Sequence, residues 1–358
     1  MNQKFLSLFL VSSLCTTLFM GCTATPTSPV DSNEDNLKIT TTIFPIYDWT
    51  KNILGDSLET TELSMLLDTG VDLHSYQPTA ADIIAINESD VFIYVGGDSD
   101  AWVEDILDAT SNEDLVTINL MESLGDRIKM EEFVEGMEVS DPHDHDHAHG
   151  EHDHEHDAHT EHDHEHDDTH TEHDHEHNDT HAHADEHVWL SLINAQIIVE
   201  DIATQLSELT SNTDYLANAE AYISQLESLD EAYSLALSNT STKTLLFGDR
   251  FPFRYLVDDY NLDYYAAFNG CSAETEASFD TITFLSQKVD TLDLSTVLEL
   301  ESTNHKISET IIANTTDKDQ TILTLNSLQS IVAADLKTDI SYLSVMEDNL
   351  EVLKEALK

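Results

Sequence analysis

Basic side chains are scarce in this sequence. It has 14 lysines and arginines against 71 aspartates and glutamates, which gives a formal net charge of −57 at pH 7. A chain with this balance repels nucleic-acid phosphates and anionic headgroups, and it attracts cations. Arg250 and Arg254 are the only arginines close together, so no basic pocket for an anionic substrate is evident. The composition therefore excludes nucleic acid as a partner and favours a cationic ligand.

Cysteine is equally scarce, and the chain has one long apolar run. That run, residues 5–20, follows Lys4 and has the pattern of a secretion signal. It ends at Gly21-Cys22, which resembles a lipobox, so we expect cleavage before Cys22 and lipid attachment to its thiol. An ordinary secretion signal with a free cysteine is the alternative. Acylation of Cys22 would leave Cys271 as the one free thiol, which excludes an intrachain disulfide.

Length and pattern divide the 358 residues into segments, with two domains allowed by the length. We predict a signal peptide (1–21), a lipid-anchored flexible tether (22–37), an N-terminal α/β lobe (38–140), a disordered loop rich in His, Asp and Glu (141–186), a helical segment that includes the interlobe helix (187–240) and a C-terminal α/β lobe (241–358). No apolar run after the signal approaches the ~20 residues of a membrane-spanning helix.

Short apolar or β-branched runs alternate with helical patterns in both predicted lobes. In the first lobe we predict strands at 38–44, 59–67, 91–95 and 115–119, and helices at 45–54, 78–87 and 101–109. In the second we predict strands at 243–247, 262–268, 296–300 and 321–325, and helices at 252–259, 275–289, 302–315 and 336–357. This alternation predicts parallel β-α-β units with helices on both faces.

Two helical patterns, 192–209 and 213–238, separate the lobes. The second contains no Gly or Pro, and a helix of that length would reach roughly 39 Å at 1.5 Å per residue. The predicted fold is therefore two similar α/β lobes joined by one long rigid helix.

A histidine-rich tract interrupts this pattern. It repeats Glu-His-Asp-His-Glu-His from Glu151, Glu161 and Glu172, and it holds 17 of the 20 histidines. These are His143, His145, His147, His149, His152, His154, His156, His159, His162, His164, His166, His170, His173, His175, His177, His181 and His183.

Imidazole suits borderline-soft ions such as Zn²⁺, Cu²⁺ and Ni²⁺, and most of these rings are neutral at pH 7. The tract has no apolar residue larger than alanine, so without metal we expect it to be disordered. We predict an auxiliary metal-collecting loop; a solvated acidic linker is the alternative.

Three histidines lie in segments predicted to be folded. His74 lies in a strand-to-helix loop, His187 begins an apolar segment, and His305 starts a helix after the strand 296–300. Open α/β sheets bind ligands at the carboxyl ends of their strands. We therefore predict that these imidazoles meet at a metal site. Ordinary surface or helix-terminal histidines are the alternative.

Two of these histidines stand in motifs that resemble a known family. Residues 71–82, Val-Asp-Leu-His-Ser-Tyr-Gln-Pro-Thr-Ala-Ala-Asp, resemble the first metal-ligand loop of the zinc and manganese solute-binding lipoproteins of ABC importers. Residues 185–191, Asp-Glu-His-Val-Trp-Leu-Ser, resemble their second ligand segment, which a His- and acid-rich loop precedes in zinc-specific members. The resemblance covers nearly the whole mature chain and implies a metal site in the cleft between two lobes.

The ligand set departs from the family pattern in the second lobe. Gly248 stands where the family has its third ligand, a His or Glu, and Asp249 is the neighbouring oxygen donor; a position that is empty or filled by water is the alternative. His305 aligns with the family's fourth ligand, a carboxylate. We therefore expect His74, His187 and His305 as nitrogen ligands, with Asp249 as the fourth.

Three imidazoles and one oxygen suit tetrahedral Zn²⁺, whereas Mn²⁺ prefers more oxygens. Glu274 and Glu276 are further carboxylates near a helix start, where favourable interaction with the helix dipole is the preferred explanation. Cys271 is a further soft donor, although a lone cysteine is more often a small buried apolar group.

The sequence thus predicts a monomeric, lipid-anchored receptor on the extracellular face of the cell membrane. It would capture Zn²⁺ and deliver it to the permease of an ABC importer. The alternatives are a receptor for manganese or another divalent metal, and an extracellular zinc buffer or adhesin without transport. We do not expect an enzyme, because no His-Glu-x-x-His base motif accompanies the histidines.

Overall fold

Two four-stranded parallel sheets organise the structure, a computed structural model that describes residues 36–138, 183–272, 276–301 and 303–358. The first sheet has the order β2-β1-β3-β4, with β1 Leu37–Thr41, β2 Thr61–Met65, β3 Val91–Tyr94 and β4 Val116–Asn119. The second has the order β6-β5-β7-β8, with β5 Thr244–Phe251, β6 Asp263–Asn269, β7 Thr296–Leu300 and β8 Thr321–Leu325. Every strand pair is parallel, which confirms the prediction of two α/β lobes.

Helices connect the strands within each lobe. The first lobe has α1 Phe44–Leu54, α2 Ala80–Asn87, α3 Trp102–Ala109 and α4 Leu120–Leu124. Two helices follow, α5 Leu192–Thr210 and α6 Asp214–Ser238. The second lobe has α7 Arg254–Asp259, α8 Phe279–Leu292, α9 Lys306–Asn314 and α10 Tyr342–Ala356. The secretion signal, Cys22, Glu274 and the tract histidines from His143 to His181 lie outside the described residues.

Several element boundaries differ from the predictions because capping residues set them. Helix α8 begins at Phe279, not at 275, since Ser278 accepts a hydrogen bond from Thr281 N. Glu276 therefore precedes the helix. Helix α10 begins at Tyr342, not at 336, because Ser341 caps it. Strand β5 continues past residue 247 to Phe251 through a register irregularity against β6.

Helix α6 links the two lobes. Its buried side chains recur every three or four residues along one stripe: Tyr215, Ala219, Tyr222, Leu226, Leu229, Tyr233 and Leu237. Near its start, Asn218 donates to the carbonyl oxygen of Ile53 in α1 at 2.9 Å. Near its end, the Tyr233 hydroxyl donates to the carbonyl oxygen of Met346 in α10. With 25 residues it spans about 37 Å.

A continuous apolar core extends through both lobes, and Trp189 lies in it fully buried. The Trp189 indole donates to the carbonyl oxygen of Ser327 at 2.9 Å. The Tyr342 hydroxyl donates in turn to the carbonyl oxygen of Trp189 at 2.7 Å. These bonds hold Trp189, which lies two residues after His187 in the segment that leads into α5. None of the helices that the structure describes has both the length and the apolar content needed to cross a bilayer.

Candidate metal centre

His74 lies in a short 3₁₀ turn, Leu73–Ser75, in the loop between β2 and α2. Asp72 caps this turn by accepting a hydrogen bond from the His74 backbone N–H at 3.0 Å. Leu73 is buried in the core and anchors the turn from below. The imidazole is therefore presented from a fixed loop of the first lobe.

His187 lies immediately before the 3₁₀ turn Val188–Leu190, and its side chain is fully buried. One oxygen of Asp185 accepts from both the His187 backbone N–H, at 2.9 Å, and the ring Nδ1, at 3.0 Å. A carboxylate only accepts hydrogen bonds, so Nδ1 carries the proton and the lone pair is on Nε2. Asp185 thus sets both the orientation and the tautomer of this ring.

The two imidazoles face each other through their Nε2 atoms, which lie 3.1 Å apart. Two nitrogens bound to one tetrahedral Zn²⁺ at 2.0–2.1 Å would lie about 3.3–3.4 Å apart. The observed separation is therefore close to that of two ligands of one ion.

The far side of the His74 ring is held by polar groups. Its Nδ1 lies 2.6 Å from the Ser99 hydroxyl oxygen and 3.5 Å from Glu186 Oε2. The other oxygen of Glu186 accepts from the Ser99 backbone N–H at 2.8 Å. Burial, together with the neighbouring His187 ring, lowers the pKa of His74 to about 3. The ring is therefore neutral at physiological pH and can bind a cation.

Cys271 completes a group of three potential ligands with the two histidines. Its Sγ and the two imidazoles have donor atoms within 4.8 Å of one another. Burial raises the pKa of the Cys271 thiol well above its usual range, and the Glu131 carboxylate adds to this effect. The sequence offered two signals for this residue: the absence of a ligand side chain at Gly248, and the position of Cys271 just after a strand of the second lobe.

The structure does not bring His305 into this group. Its ring Nδ1 contacts the buried Glu299 carboxylate, and 55% of its side chain is exposed. The residue lies at the start of α9 with a left-handed backbone, φ 61°. Ligation by His305 stays a prediction.

Asp249 also lies outside the group. One of its oxygens accepts from Leu300 N at 3.1 Å and the other from Arg250 N at 2.8 Å, so both are used by backbone amides. At Gly248, an added Cβ would lie 2.9 Å from Ser308 Cα in α9. A histidine at this position would require α9 to move.

An ion pair joins the lobes beside the histidines. Arg250 Nη2 of the second lobe donates to Asp72 Oδ2 of the first at 2.7 Å, and both side chains are 24% exposed. Burial raises the pKa of Asp72, but the Arg250 guanidinium outweighs burial and holds that pKa below its usual range. The Asp72 carboxylate therefore contacts both the His74 backbone in its own lobe and Arg250 in the second lobe. The pair lines a cleft of about 430 Å³ that also contains Asp249 and Glu301.

We expect Asp185→Asn to lower zinc affinity 10- to 100-fold, the usual cost of losing an outer partner of a ligating histidine. The amide would no longer enforce the His187 tautomer or supply a negative charge near the ion. We call the chain in which every tract histidine except His183 is replaced by serine the tract-substituted chain. The zinc affinity of this chain is to be measured by competition with a chelator. Asp98→Asn is the matched control, because the Asp98 side chain is 73% exposed and contacts the exposed His183 ring rather than the paired imidazoles. Equal affinities of the Asp185 and Asp98 variants would refute this role.

Comparison with known proteins gives a consistent family. Residues 39–356 match the model of the family described as zinc-uptake complex component A, periplasmic. The chain is 29% identical over 350 residues to the zinc-binding lipoprotein AdcA of Streptococcus pneumoniae, covering 97% of this chain and 60% of that relative. It is 26% identical to the high-affinity zinc uptake system protein ZnuA of Bacillus subtilis, covering 100% of this chain and 99% of that protein.

Solved structures give the same picture. The Zn(II)-bound ZnuA-like domain of Streptococcus pneumoniae AdcA superposes with a TM-score of 0.63 at 26% identity, covering 90% of this chain and 99% of that domain. The lipoprotein YcdH of Bacillus subtilis, at 22% identity and a TM-score of 0.66, has the same fold. The chain therefore corresponds to one domain of the longer streptococcal relatives.

Proposed function

We propose that this chain, which belongs to the zinc-uptake complex component A family, captures Zn²⁺ between its lobes and delivers it to a membrane permease. The observation that carries the proposal is the 3.1 Å approach of the His74 and His187 Nε2 atoms. The Nδ1 atom of each ring, on the opposite side from Nε2, is hydrogen-bonded: that of His74 to Ser99 and that of His187 to Asp185. Such preorganised imidazoles bind an ion without first having to be ordered.

Zinc is the cation that this site fits best. Imidazole suits Zn²⁺, Cu²⁺ and Ni²⁺, whereas Mn²⁺ prefers sites with more oxygens. Two of the carboxylates near the pair are engaged in other bonds: Asp185 with His187, and Asp72 with His74 N–H and Arg250. The names of relatives from Streptococcus pneumoniae and Bacillus subtilis also specify zinc.

The histidine-rich tract supplies ions to this site. Its last member, His183, contacts Asp98, and Asp98 is the neighbour of Ser99, which contacts His74. An ion released by the tract therefore enters beside the cleft. The tract-substituted chain should keep the affinity of the cleft site while binding fewer ions per molecule, and equilibrium dialysis measures both quantities.

Delivery to a permease and attachment through Cys22 complete the proposal. Cells lacking this protein should regain zinc uptake with the wild-type chain and not with His74→Ala.

Cys22→Ala should release the protein into the medium and reduce uptake. We assign the chain a binding role, without catalysis and as a monomer. Turnover of ester or phosphate substrates by the zinc-loaded protein would contradict this assignment.

Zinc should stabilise the tract-substituted chain against unfolding. A ligand that binds only the folded state contributes about 2.7 kcal/mol at a free concentration 100 times its dissociation constant. We therefore expect a higher Tm with Zn²⁺ than with a chelator, measured by scanning calorimetry. Mg²⁺ at the same concentration is the control, since it prefers oxygen ligands. A Tm that does not respond to zinc would contradict the proposed function.

A further inference from the structure

We propose that Cys271 is the third zinc ligand, so that the cleft site is a His₂Cys centre with a thiolate from the second lobe. The inference rests on the proposed function, because it concerns the same ion. It adds a ligand type that the family pattern does not include. It also identifies what the second lobe contributes in place of a side chain at Gly248.

The position of the thiol supports this assignment. Its sulfur lies within 4.8 Å of the two imidazole donors. Zn–N bonds of 2.0–2.1 Å and a Zn–S bond of 2.3 Å in a tetrahedral site separate the donors by about 3.3–3.6 Å. An adjustment of about 1 Å on ion binding therefore closes the group around one ion.

The loop that carries Cys271 is held against the histidine pair. A Cβ added to Gly270 would lie 2.9 Å from His187 Cε1 and 2.9 Å from the carbonyl oxygen of Phe251. The loop backbone can approach the ring this closely because residue 270 is glycine. Before the loop, the Asn269 side chain donates to Glu131 at 3.0 Å. The thiol is thus fixed on the second lobe beside a ligand that is already in place.

A second, independent observation also indicates a cation here. The Glu186 side chain is 2% exposed, and within the described part of the chain its Oε2 has no hydrogen-bond partner; it lies 3.5 Å from His74 Nδ1, behind the ring whose Nε2 would bind the ion. An unpaired buried carboxylate oxygen is costly unless positive charge compensates it. Asp185 and Glu131 add further negative charge around Cys271. A divalent ion bound by the two rings and the thiolate would supply the missing positive charge.

A bound thiolate changes which metals the site selects. Soft sulfur ligands favour Zn²⁺ and other thiophilic ions, whereas Mn²⁺ favours carboxylate and water. The site is also completed only when both lobes contribute. Separation of the lobes would remove the sulfur and leave a weaker two-histidine site, which provides a route for release to the permease.

Cobalt substitution tests the proposal directly. The tract-substituted chain loaded with Co²⁺ should show the near-ultraviolet thiolate-to-Co²⁺ charge-transfer band, and Cys271→Ser should abolish that band. The same variant should lower zinc affinity by about 100-fold, at least as much as the loss of an outer-shell partner. Thr303→Ala is the control, because Thr303 lines the cleft that also contains Asp72 and Arg250 but is not part of the group, and it should keep both the band and the affinity.

A second measurement keeps Cys271 in place, so it does not depend on whether Cys271→Ser folds. Zinc should slow alkylation of Cys271 in the tract-substituted chain, and Mg²⁺ at equal concentration should not. Absence of the band together with unprotected alkylation would overturn the inference. If zinc still bound tightly and His74→Ala abolished that binding, only the thiolate assignment would fall; if His74→Ala had no effect, the proposed function itself would fail.

Discussion

His74→Ala should abolish tight zinc binding by the tract-substituted chain. The substitution removes one of two imidazoles whose Nε2 atoms lie 3.1 Å apart, and it leaves the second without its partner. Loss of an outer-shell partner alone costs 10- to 100-fold in metal affinity, so loss of a ligand should cost more. Competition with a chelator of known affinity measures the change. The tract-substituted chain is needed because zinc bound by the tract histidines would otherwise add to the zinc bound at the cleft site.

The best control for this experiment is another histidine. His183 is described by the structure, its side chain is 57% exposed, and it contacts Asp98 rather than the paired rings. His183→Ala in the same background should therefore leave the affinity of the cleft site unchanged. If both variants bound zinc as tightly as their parent, the paired imidazoles would not be the binding site. Circular dichroism of the zinc-free variants would establish that both are folded.

The sequence was sufficient to predict the architecture. Alternating strand and helix patterns predicted both lobes, and the patterns at 192–209 and 213–238 predicted α5 and α6 to within one residue at each end. Such predictions succeed because apolar periodicity depends on burial along a single element. The starts of α8 and α10 were wrong, since those helices begin where Ser278 and Ser341 cap them.

The candidate site was predicted less completely. His74 and His187 stand in local motifs whose own residues orient them: Asp72 caps the turn of the first and Asp185 bonds the ring of the second. The local sequence is therefore enough to predict that these two rings are held in fixed orientations. Whether Cys271 comes near them depends on how the second sheet packs against the segment before α5, and no local pattern encodes this packing.

The second lobe illustrates the same limit at Gly248 and His305. The glycine at position 248 is visible in the sequence, but the close approach of Ser308, which an added Cβ would meet, is a tertiary contact. Likewise, alignment placed His305 in a ligand position, while the contact of its ring with Glu299 depends on the bend between β7 and α9. The exchange of ligands that we propose, from position 248 to Cys271, therefore becomes visible only in three dimensions.

Trp189→Ala should destabilise the zinc-free protein by about 3–5 kcal/mol, the usual cost of removing a large aromatic side chain from a packed core. The side chain is fully buried in the core shared by the lobes. Its loss would also leave the Ser327 carbonyl oxygen without the indole donor that now lies at 2.9 Å. Because total stabilities are commonly about 5–15 kcal/mol, this change would remove a large part of the free energy of unfolding.

The same substitution should weaken zinc binding, because the Trp189 ring packs on His187 with ring centroids 5.2 Å apart. Urea denaturation of the zinc-free chain measures the first effect, and chelator competition at a temperature where the variant is folded measures the second. Phe279→Ala is the matched control: Phe279 is 78% exposed, so its removal should change stability by no more than about 0.5 kcal/mol. A Trp189 variant as stable as this control would show that the segment between His187 and α5 is not held by the shared core, and the preorganisation of His187 would then need another source.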